Sequence, residues 1–275
     1  MSDQELTVPG ATLRYDVRGA GPVLLLMGTP MDATGFAALA PLLERDHTVV
    51  TYDPRGIARS SVDDRTAQVT PEQLADDLSR LLAAVTDEPA AVLGSSGGAI
   101  AGLALVTAHP EQVSVLVAHE PPVTALLPDA AERRADLDGI YELYRDEGVW
   151  PAMGRFLEVI GIETPTSTEP LPMELTEAIA RDTGFFLANL LRTVSLWQPD
   201  LDVLRASSTR IVIGVGATSK GQFANRTALA LAERLGVTPV EFPGDHGGFA
   251  GEPADFADVL RGVLQNATDQ YPAVR

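Results

Sequence analysis

The chain has no cysteine among its 275 residues, which excludes disulfides, thiolate metal centres and a cysteine nucleophile. Lys220 is its only lysine, so Schiff-base chemistry and phosphate cradling have one candidate residue, and that residue lies in neither kind of motif. Basic residues are scarce altogether. Lys and Arg number 20 against 38 Asp and Glu, giving a formal charge of −18 and a pI near 4.5. Nucleic acids and anionic membranes demand a basic face, so neither is expected as a partner. No apolar run approaches the ~20 residues of a membrane span. The opening Met1-Ser2-Asp3-Gln4-Glu5 is acidic and polar, unlike the basic-then-apolar layout of a secretion signal, and these absences together predict a cytoplasmic protein.

What is present is an alternation. Short apolar runs at 12–18, 23–27, 48–52, 90–96 and 113–118 read as strands. Helical stretches are expected near 36–43 and at 71–85 and 99–109, and this βαβ rhythm predicts an α/β domain with a mostly parallel sheet flanked by helices. From about 123 to 203 the strands vanish. Amphipathic segments at 129–146, 150–160, 174–183 and 185–197, interrupted by a proline-rich stretch at 165–172, predict an inserted helical lid over 123–203. The core then comprises 1–122 and 204–275, resuming with a strand at 210–215, a helix at 223–235, a short strand at 239–242 and a closing helix at 253–264. No internal repeat is evident. At this length a chain buries roughly 70–75% of its unfolded surface and needs no covalent staples.

The densest chemical signal is Gly94-Ser95-Ser96-Gly97-Gly98, a G-x-S-x-G pentapeptide between an apolar strand and a helix. A strand that reverses sharply into a helix puts its turn residue in strained backbone angles, which small flanking residues permit. Ser96 would then present its hydroxyl above the sheet edge, in front of a helix N-terminus that favours negative charge. A serine nucleophile needs a base, an acid to hold that base, and donors for the oxyanion. His246, in Pro243-Gly244-Asp245-His246-Gly247-Gly248-Phe249 beyond the last strand, is the expected base, because the base comes last in the chain in this strand–serine–helix arrangement. His47 and His109 lie at the wrong ends of their elements and read as structural.

The acid is less direct. The stretch after the strand at 210–215, Gly214-Val215-Gly216-Ala217-Thr218-Ser219-Lys220-Gly221, carries no carboxylate. One strand earlier, Val117-Ala118-His119-Glu120-Pro121-Pro122 puts Glu120 at the carboxyl end of the strand beside the nucleophile strand, where ligands of parallel sheets bind. Glu120 is the favoured acid. Asp245 is the rival, disfavoured on the expectation of an extended segment whose neighbouring side chains point apart. The oxyanion donors are expected at Gly97 and, because Pro30 has no N–H, at Gly28 or Thr29.

The Met27-Gly28-Thr29-Pro30 loop, Tyr52-Asp53-Pro54-Arg55-Gly56 with Ser60 beyond it, the Ser96 turn and the Gly244-Asp245-His246-Gly247-Gly248-Phe249 loop together resemble the α/β-hydrolase superfamily along essentially the whole chain. Within it, the Gly-Ser-Ser-Gly turn, His119-Glu120-Pro121-Pro122 and the carboxylate-free Gly216-Ala217-Thr218 are similar to the zearalenone-lactonase-like branch, whose acid is a glutamate one strand early. The resemblance implies an α/β-hydrolase fold and an esterase or lactonase with a Ser96-Glu120-His246 triad, acting on a small hydrophobic ester or lactone without cofactor or metal. Asp53, Arg55 and Ser60 are expected to shape a loop rather than react. Seven of the chain's two tryptophans, five tyrosines and eight phenylalanines fall between Tyr141 and Trp197, which fits an apolar pocket under the lid. Met31, His119, Trp150, Phe185, Phe186 and Trp197 are the candidate substrate contacts. Homodimerisation is compatible with the sequence. Two other readings stand beside the esterase: a cofactor-free perhydrolase or haloperoxidase-type activity on the same serine, and a noncatalytic ligand-binding receptor. The serine argues against dehalogenase or epoxide-hydrolase chemistry, which in this fold uses a carboxylate nucleophile.

Overall fold

The computed structural model describes residues 2–161 and 173–270. The proline-rich stretch at 165–172 lies outside the described residues. Strands β1 (Ser2–Val8), β2 (Ala11–Gly19) and β3 (Val23–Thr29) lead into a 3-10 turn at Ala33–Phe36, a one-turn helix α1 (Ala40–Leu43), β4 (Thr48–Asp53) and the two-residue β5 (Ser61–Val62). Then follow α2 (Pro71–Val85), β6 (Ala90–Ser96), α3 (Gly97–Ala108) and β7 (Val113–His119). Between β7 and the next strand, the described residues form α4 (Ala130–Glu147), α5 (Val149–Ile160), α6 (Met173–Asn189), α7 (Leu191–Ser195) and α8 (Leu201–Ala206). β8 (Arg210–Gly216), α9 (Phe223–Leu235), β9 (Val240–Phe242), α10 (Gly248–Gly251) and α11 (Pro253–Gln270) close the chain.

The strands form one sheet in the order β1-β2-β4-β3-β6-β7-β8-β9, with β5 on β2. β2 runs antiparallel to β1, β4 and β5, while every pair from β4 to β9 is parallel. After β3 the chain first adds β4 on one side and then returns to add β6 on the other. That reversal opens a crevice at the carboxyl ends of β3 and β6, the place where doubly wound sheets bind ligands. In the register there, Thr29 pairs with Ser96, Ser95 with His119, and His119 with Gly214.

Each face of the sheet carries its own apolar layer. One is built on α2, α3 and the buried sides of α4, α6 and α7, the other on Phe36, Leu39, Leu43, Phe249, Phe256 and Leu260. α2 is amphipathic in the ordinary way. Thr70 caps its N-terminus by accepting the Gln73 N–H at 3.3 Å, Pro71 opens it, and Leu74, Leu78, Leu81 and Leu82 face inward. α3 has no polar face, since Gly97 through Val106 are all buried, as expected of a helix enclosed on every side.

Several boundaries differ from the sequence expectation. The helix expected near 36–43 is split into the 3-10 turn and α1; Asp32 accepts the Thr34 N–H at 2.8 Å and starts the turn. The segments expected at 174–183 and 185–197 are broken at Leu190 instead, so that α6 runs straight through Gly184. A methyl group on that glycine would lie 3.3 Å from the Tyr144 hydroxyl, so α6 and α4 approach closely there. The start of the chain is a strand paired along its whole length with β2, its acids Asp3 and Glu5 held by Arg14. The line drawn at 203/204 cuts through α8, and the closing helix extends past 264 to Gln270. Among the described residues, no helix is long and apolar enough to cross a membrane.

Candidate active site

Ser96 ends β6 and caps α3 with φ +56° and ψ −125°, a conformation that costs a non-glycine residue on the order of 1–3 kcal/mol. Its neighbours explain why the strain holds. A methyl group on Gly94 would lie 2.7 Å from the Gly98 carbonyl oxygen, and one on Gly98 would lie 2.6 Å from that of Met27. With both small, β6 folds into α3 at van der Waals distance. Gly97, whose added methyl would sit 2.9 Å from the Thr29 carbonyl oxygen, is pressed against the end of β3 in the same way. Gly97 opens α3, so its N–H belongs to the first helical turn, where no intrahelical acceptor exists. Thr29 and Gly97 thereby flank Ser96, and the Thr29 hydroxyl is occupied by donating to the Gly28 carbonyl at 2.7 Å.

His246 stands in the turn after β9, partly exposed, and its Nδ1–H donates to Glu120 Oε2 at 2.7 Å. Glu120 lies one residue beyond β7 with φ +48° and has no solvent exposure. Its other oxygen, Oε1, accepts the Gly216 N–H at 3.0 Å and the Ser219 hydroxyl. The carboxylate-free stretch after β8 therefore supplies hydrogen-bond donors where a nearby acid was missing. Gly216 has to be small here, as a methyl group on it would lie 2.8 Å from the Asp245 carbonyl carbon. Burial pushes the Glu120 carboxyl up, but the hydrogen bond from His246 and the donors around it prevail and hold it down to about 2. It is an anion at neutral pH, with a donor on each oxygen.

Asp245, the rival acid, turns away and accepts the Gly247 N–H at 2.8 Å. The reason differs from the expected one: residues 243–247 form bends and a turn rather than an extended segment. Asp53 organises the loop after β4, accepting from the backbone N–H groups of Ala33 and Arg59 and from the Arg59 side chain, and the Ser60 hydroxyl donates to its carbonyl. Arg55 makes a buried ion pair with Asp77 of α2.

Ser96, His246, Thr29 and Gly97 share one cavity, with free space of about 30 Å³ for the centre of a water molecule. Its walls come from the helical segment: Leu137 of α4, Phe156 and Ile160 of α5, Phe186 of α6, and Leu191, Val194 and Ser195 of α7. Pro122, Phe223 and Ala224 complete it. A wider cleft, of about 490 Å³, lies at the opposite edge of the sheet among Val23, His47, Ala91, Val113 and Arg210. It opens at the amino ends of the strands, far along them from Ser96.

Of the candidate substrate contacts, Phe186 lines the cavity and the rest sit elsewhere. Trp150 is exposed on the outside of α5. Trp197 donates its indole N–H to Glu72 at 2.8 Å. Phe185 packs on Gly56 beneath the Arg65 guanidinium, and Met31 fills the space beside Gly28 and Gly35. His119 is fully buried, its Nδ1 3.3 Å from the Ser95 hydroxyl, ringed by Phe242, Phe249 and Phe256 and stacked behind His246 at 6.3 Å. Burial lowers its pKa to about 4, so the ring is neutral at pH 7. The wall residues that the sequence expectation missed carry a readable signal. Phe156 and Ile160, and Leu191 with Val194 and Ser195, recur at three- and four-residue spacing on single helix faces.

Comparison with known proteins gives a consistent result. The family described as "alpha/beta hydrolase fold" matches residues 21–193. The Bacillus subtilis (strain 168) protein named "uncharacterized hydrolase YraK" is 35% identical over 267 residues, covering 94% of this chain and 95% of the relative. Among solved structures, a thermophilic esterase from Thermogutta terrifontis superposes with a TM-score of 0.74 at 22% identity, over 97% of this chain and 99% of its own. A structure from a study of carboxylesterases of Nitrososphaera gargenis gives 0.73 at 18% identity, over 98% and 100%.

Proposed function

The chain belongs to the α/β-hydrolase family, and from that premise we propose that it is a serine hydrolase that cleaves a carboxylic ester or lactone through an acyl-enzyme on Ser96. The observation that carries the proposal is the path from solvent edge to core in which one imidazole, His246, faces the Ser96 cavity and holds a buried, ionised Glu120 at 2.7 Å. A surface histidine has no need of a desolvated anion. A base that must become an imidazolium during reaction does, because the anion fixes its Nδ1–H tautomer and stabilises the cation when it forms. An acid at the end of β7 rather than beyond β8 is what the resemblance to the zearalenone-lactonase-like branch implies, and it supports including lactones in the substrate class.

In the acylation step His246 Nε2 takes the Ser96 proton as the hydroxyl oxygen attacks the carbonyl carbon. The carbonyl oxygen becomes an oxyanion, held by the Gly97 N–H and a second N–H from Gly28 or Thr29. Collapse expels the alcohol oxygen, which receives the proton from His246. Water then enters, gives a proton to His246, attacks the acyl carbon and frees the acid, returning the proton to Ser96. Helices α4 to α7 act as the lid that keeps bulk water from the oxyanion, where each donor is worth about 10²–10³ in rate.

The test is hydrolysis of a p-nitrophenyl ester by wild type, Ser96→Ala and His246→Ala. Each variant should lose at least about 10³ in kcat, and because the two residues act as a unit the double variant should lose little more. Retained turnover in Ser96→Ala, or failure of the wild type to react with a fluorophosphonate probe, would remove the proposal.

A further inference from the structure

Among the described residues, the helical wall of the Ser96 cavity carries one polar side chain, Ser195, and the catalytic steps leave it unused. We propose that the Ser195 hydroxyl recognises substrate, and that the ester or lactone cleaved carries a second, neutral oxygen, a hydroxyl or a carbonyl, near the scissile link. The proposal rests on the serine-hydrolase reading and names the substrate chemistry within it.

The other polar side chains on the cavity are Ser96, His246 and Thr29. The first two carry the proton path, and Thr29 gives its hydroxyl proton to the Gly28 carbonyl at 2.7 Å. What remains of the helical wall, from Leu137 on α4 to Val194 on α7, is hydrocarbon. Ser195 ends α7 and is 6% exposed. Among the described residues its hydroxyl has no hydrogen-bond partner. A serine within a helix ordinarily settles its hydroxyl on a carbonyl one turn back, and Ser195 does not.

Helix geometry explains the difference. Successive residues turn by about 100°, so Leu191, Val194 and Ser195 share one face of α7 while Thr193 lies on the opposite one. Thr193 is spent on the core: its hydroxyl donates to the Val69 carbonyl and lies 3.0 Å from that of Leu190. With Thr193 fastened there, Ser195 is held on the face that lines the Ser96 cavity. A hydroxyl kept in a hydrocarbon wall without a partner is unfavourable, so a substrate oxygen that pairs with it is preferred over a carbon in the same place. Because a hydroxyl both donates and accepts, a hydroxyl or a carbonyl satisfies it. Among the described residues no Asp, Glu, Lys or Arg lines the cavity, which makes a neutral group the fitting complement.

The same contact serves an oxygen on the acyl part or on the alcohol part, and two isosteric pairs separate the two. Ethyl 3-hydroxybutyrate, as both enantiomers, against ethyl 3-methylbutyrate tests the acyl side; 2-hydroxyethyl acetate against propyl acetate tests the alcohol side. Hydrolysis is followed by pH-stat in wild type, Ser195→Ala and Ser195→Thr, with Ser96→Ala as background. The ratio of kcat/KM within each pair is compared between proteins, so that the intrinsic reactivity of each ester cancels. In at least one pair the ratio of oxygenated to hydrocarbon ester should fall by about tenfold in Ser195→Ala, the scale of one neutral hydrogen bond. Ser195→Thr, which keeps the hydroxyl, should stay near the wild-type ratio. Ratios equal in wild type and Ser195→Ala for both pairs would overturn the proposal and leave the serine-hydrolase reading standing, since a hydroxyl that only packs or holds water affects both members alike. A wild type that cleaves the hydrocarbon member faster in both pairs would do the same without needing any variant to fold, as would turnover of the p-nitrophenyl ester with none of these esters. Absence of Ser96-dependent turnover on every ester, the p-nitrophenyl ester included, would overturn both readings.

Discussion

Glu120 is a carboxylate without access to water whose polar neighbours, the Gly216 N–H, the Ser219 hydroxyl and the His246 ring, are all donors. Glutamine in its place keeps the shape and inverts half the chemistry, because one end of an amide is a donor. Either Gly216 and Ser219 or His246 would then face an N–H₂ group across a distance made for an acceptor. In Glu120→Gln, kcat on a short ester should therefore drop by about 10³–10⁴, the cost of a misdirected imidazole tautomer. Asp245→Asn should leave kcat close to wild type, since Asp245 serves the Gly247 N–H. If the two variants behave the other way round, the acid has been assigned to the wrong residue.

At the scale of elements, the junction of β6 with α3 is pressed closely against β3. Gly98→Ala would put a methyl group 2.6 Å from the Met27 carbonyl oxygen and 2.8 Å from the Gly28 Cα, both of them backbone atoms of β3. Overpacking of this kind costs typically 1–3 kcal/mol, and here the strand that must give way carries Thr29. The variant should lose stability by that amount in urea titration and lose activity beyond it; an unchanged midpoint would mean that β3 and α3 are looser than the register implies. The same junction explains how much of the site was legible in the sequence. The G-x-S-x-G pattern, Glu120 and His246 each sit where a strand ends, and strand ends are marked locally by glycine, proline and the stop of an apolar run. The cavity wall was not marked in that way. Phe185 and Phe186 are neighbours on α6, and which of the two faces Ser96 is decided by how α6 rotates against α4, where Gly184 meets Tyr144. The break at Leu190 was likewise invisible, because nothing in the residues around it departs from a helical composition and only tertiary packing sets it. Trp150 and Trp197 drew attention as large aromatics, yet size alone does not say which side of a helix is outward.

For the molecule as a whole, two buried groups and the net charge pull stability in opposite directions as pH falls. His119 has a folded pKa of about 4 against an ordinary 6.5, lowered by burial. Between those values the unfolded chain takes up a proton that the native state refuses, so the stability contributed by the neutral ring is complete above pH 6.5 and is lost as pH falls toward 4. Glu120, depressed from 4.5 to about 2, adds a second loss that begins near pH 4.5 and continues toward 2. Against both, a formal charge of −18 means that protonating surface carboxylates relieves self-repulsion and favours the compact state. Range decides between them. At about 0.15 M salt exposed charges are screened beyond ~8 Å, whereas buried groups are not. At that ionic strength the protein should lose stability from pH 6.5 to 4, by up to about 3 kcal/mol through His119 at one proton per molecule. His119→Phe places a ring of similar size among Phe242, Phe249 and Phe256 and removes the proton-binding site. Urea unfolding of both proteins at pH 7, 6, 5 and 4.5 should show a slope against pH that is shallower in the variant by close to one proton. Parallel slopes would mean that His119 takes up its proton alike in both states, and acid sensitivity would then have to arise from Glu120.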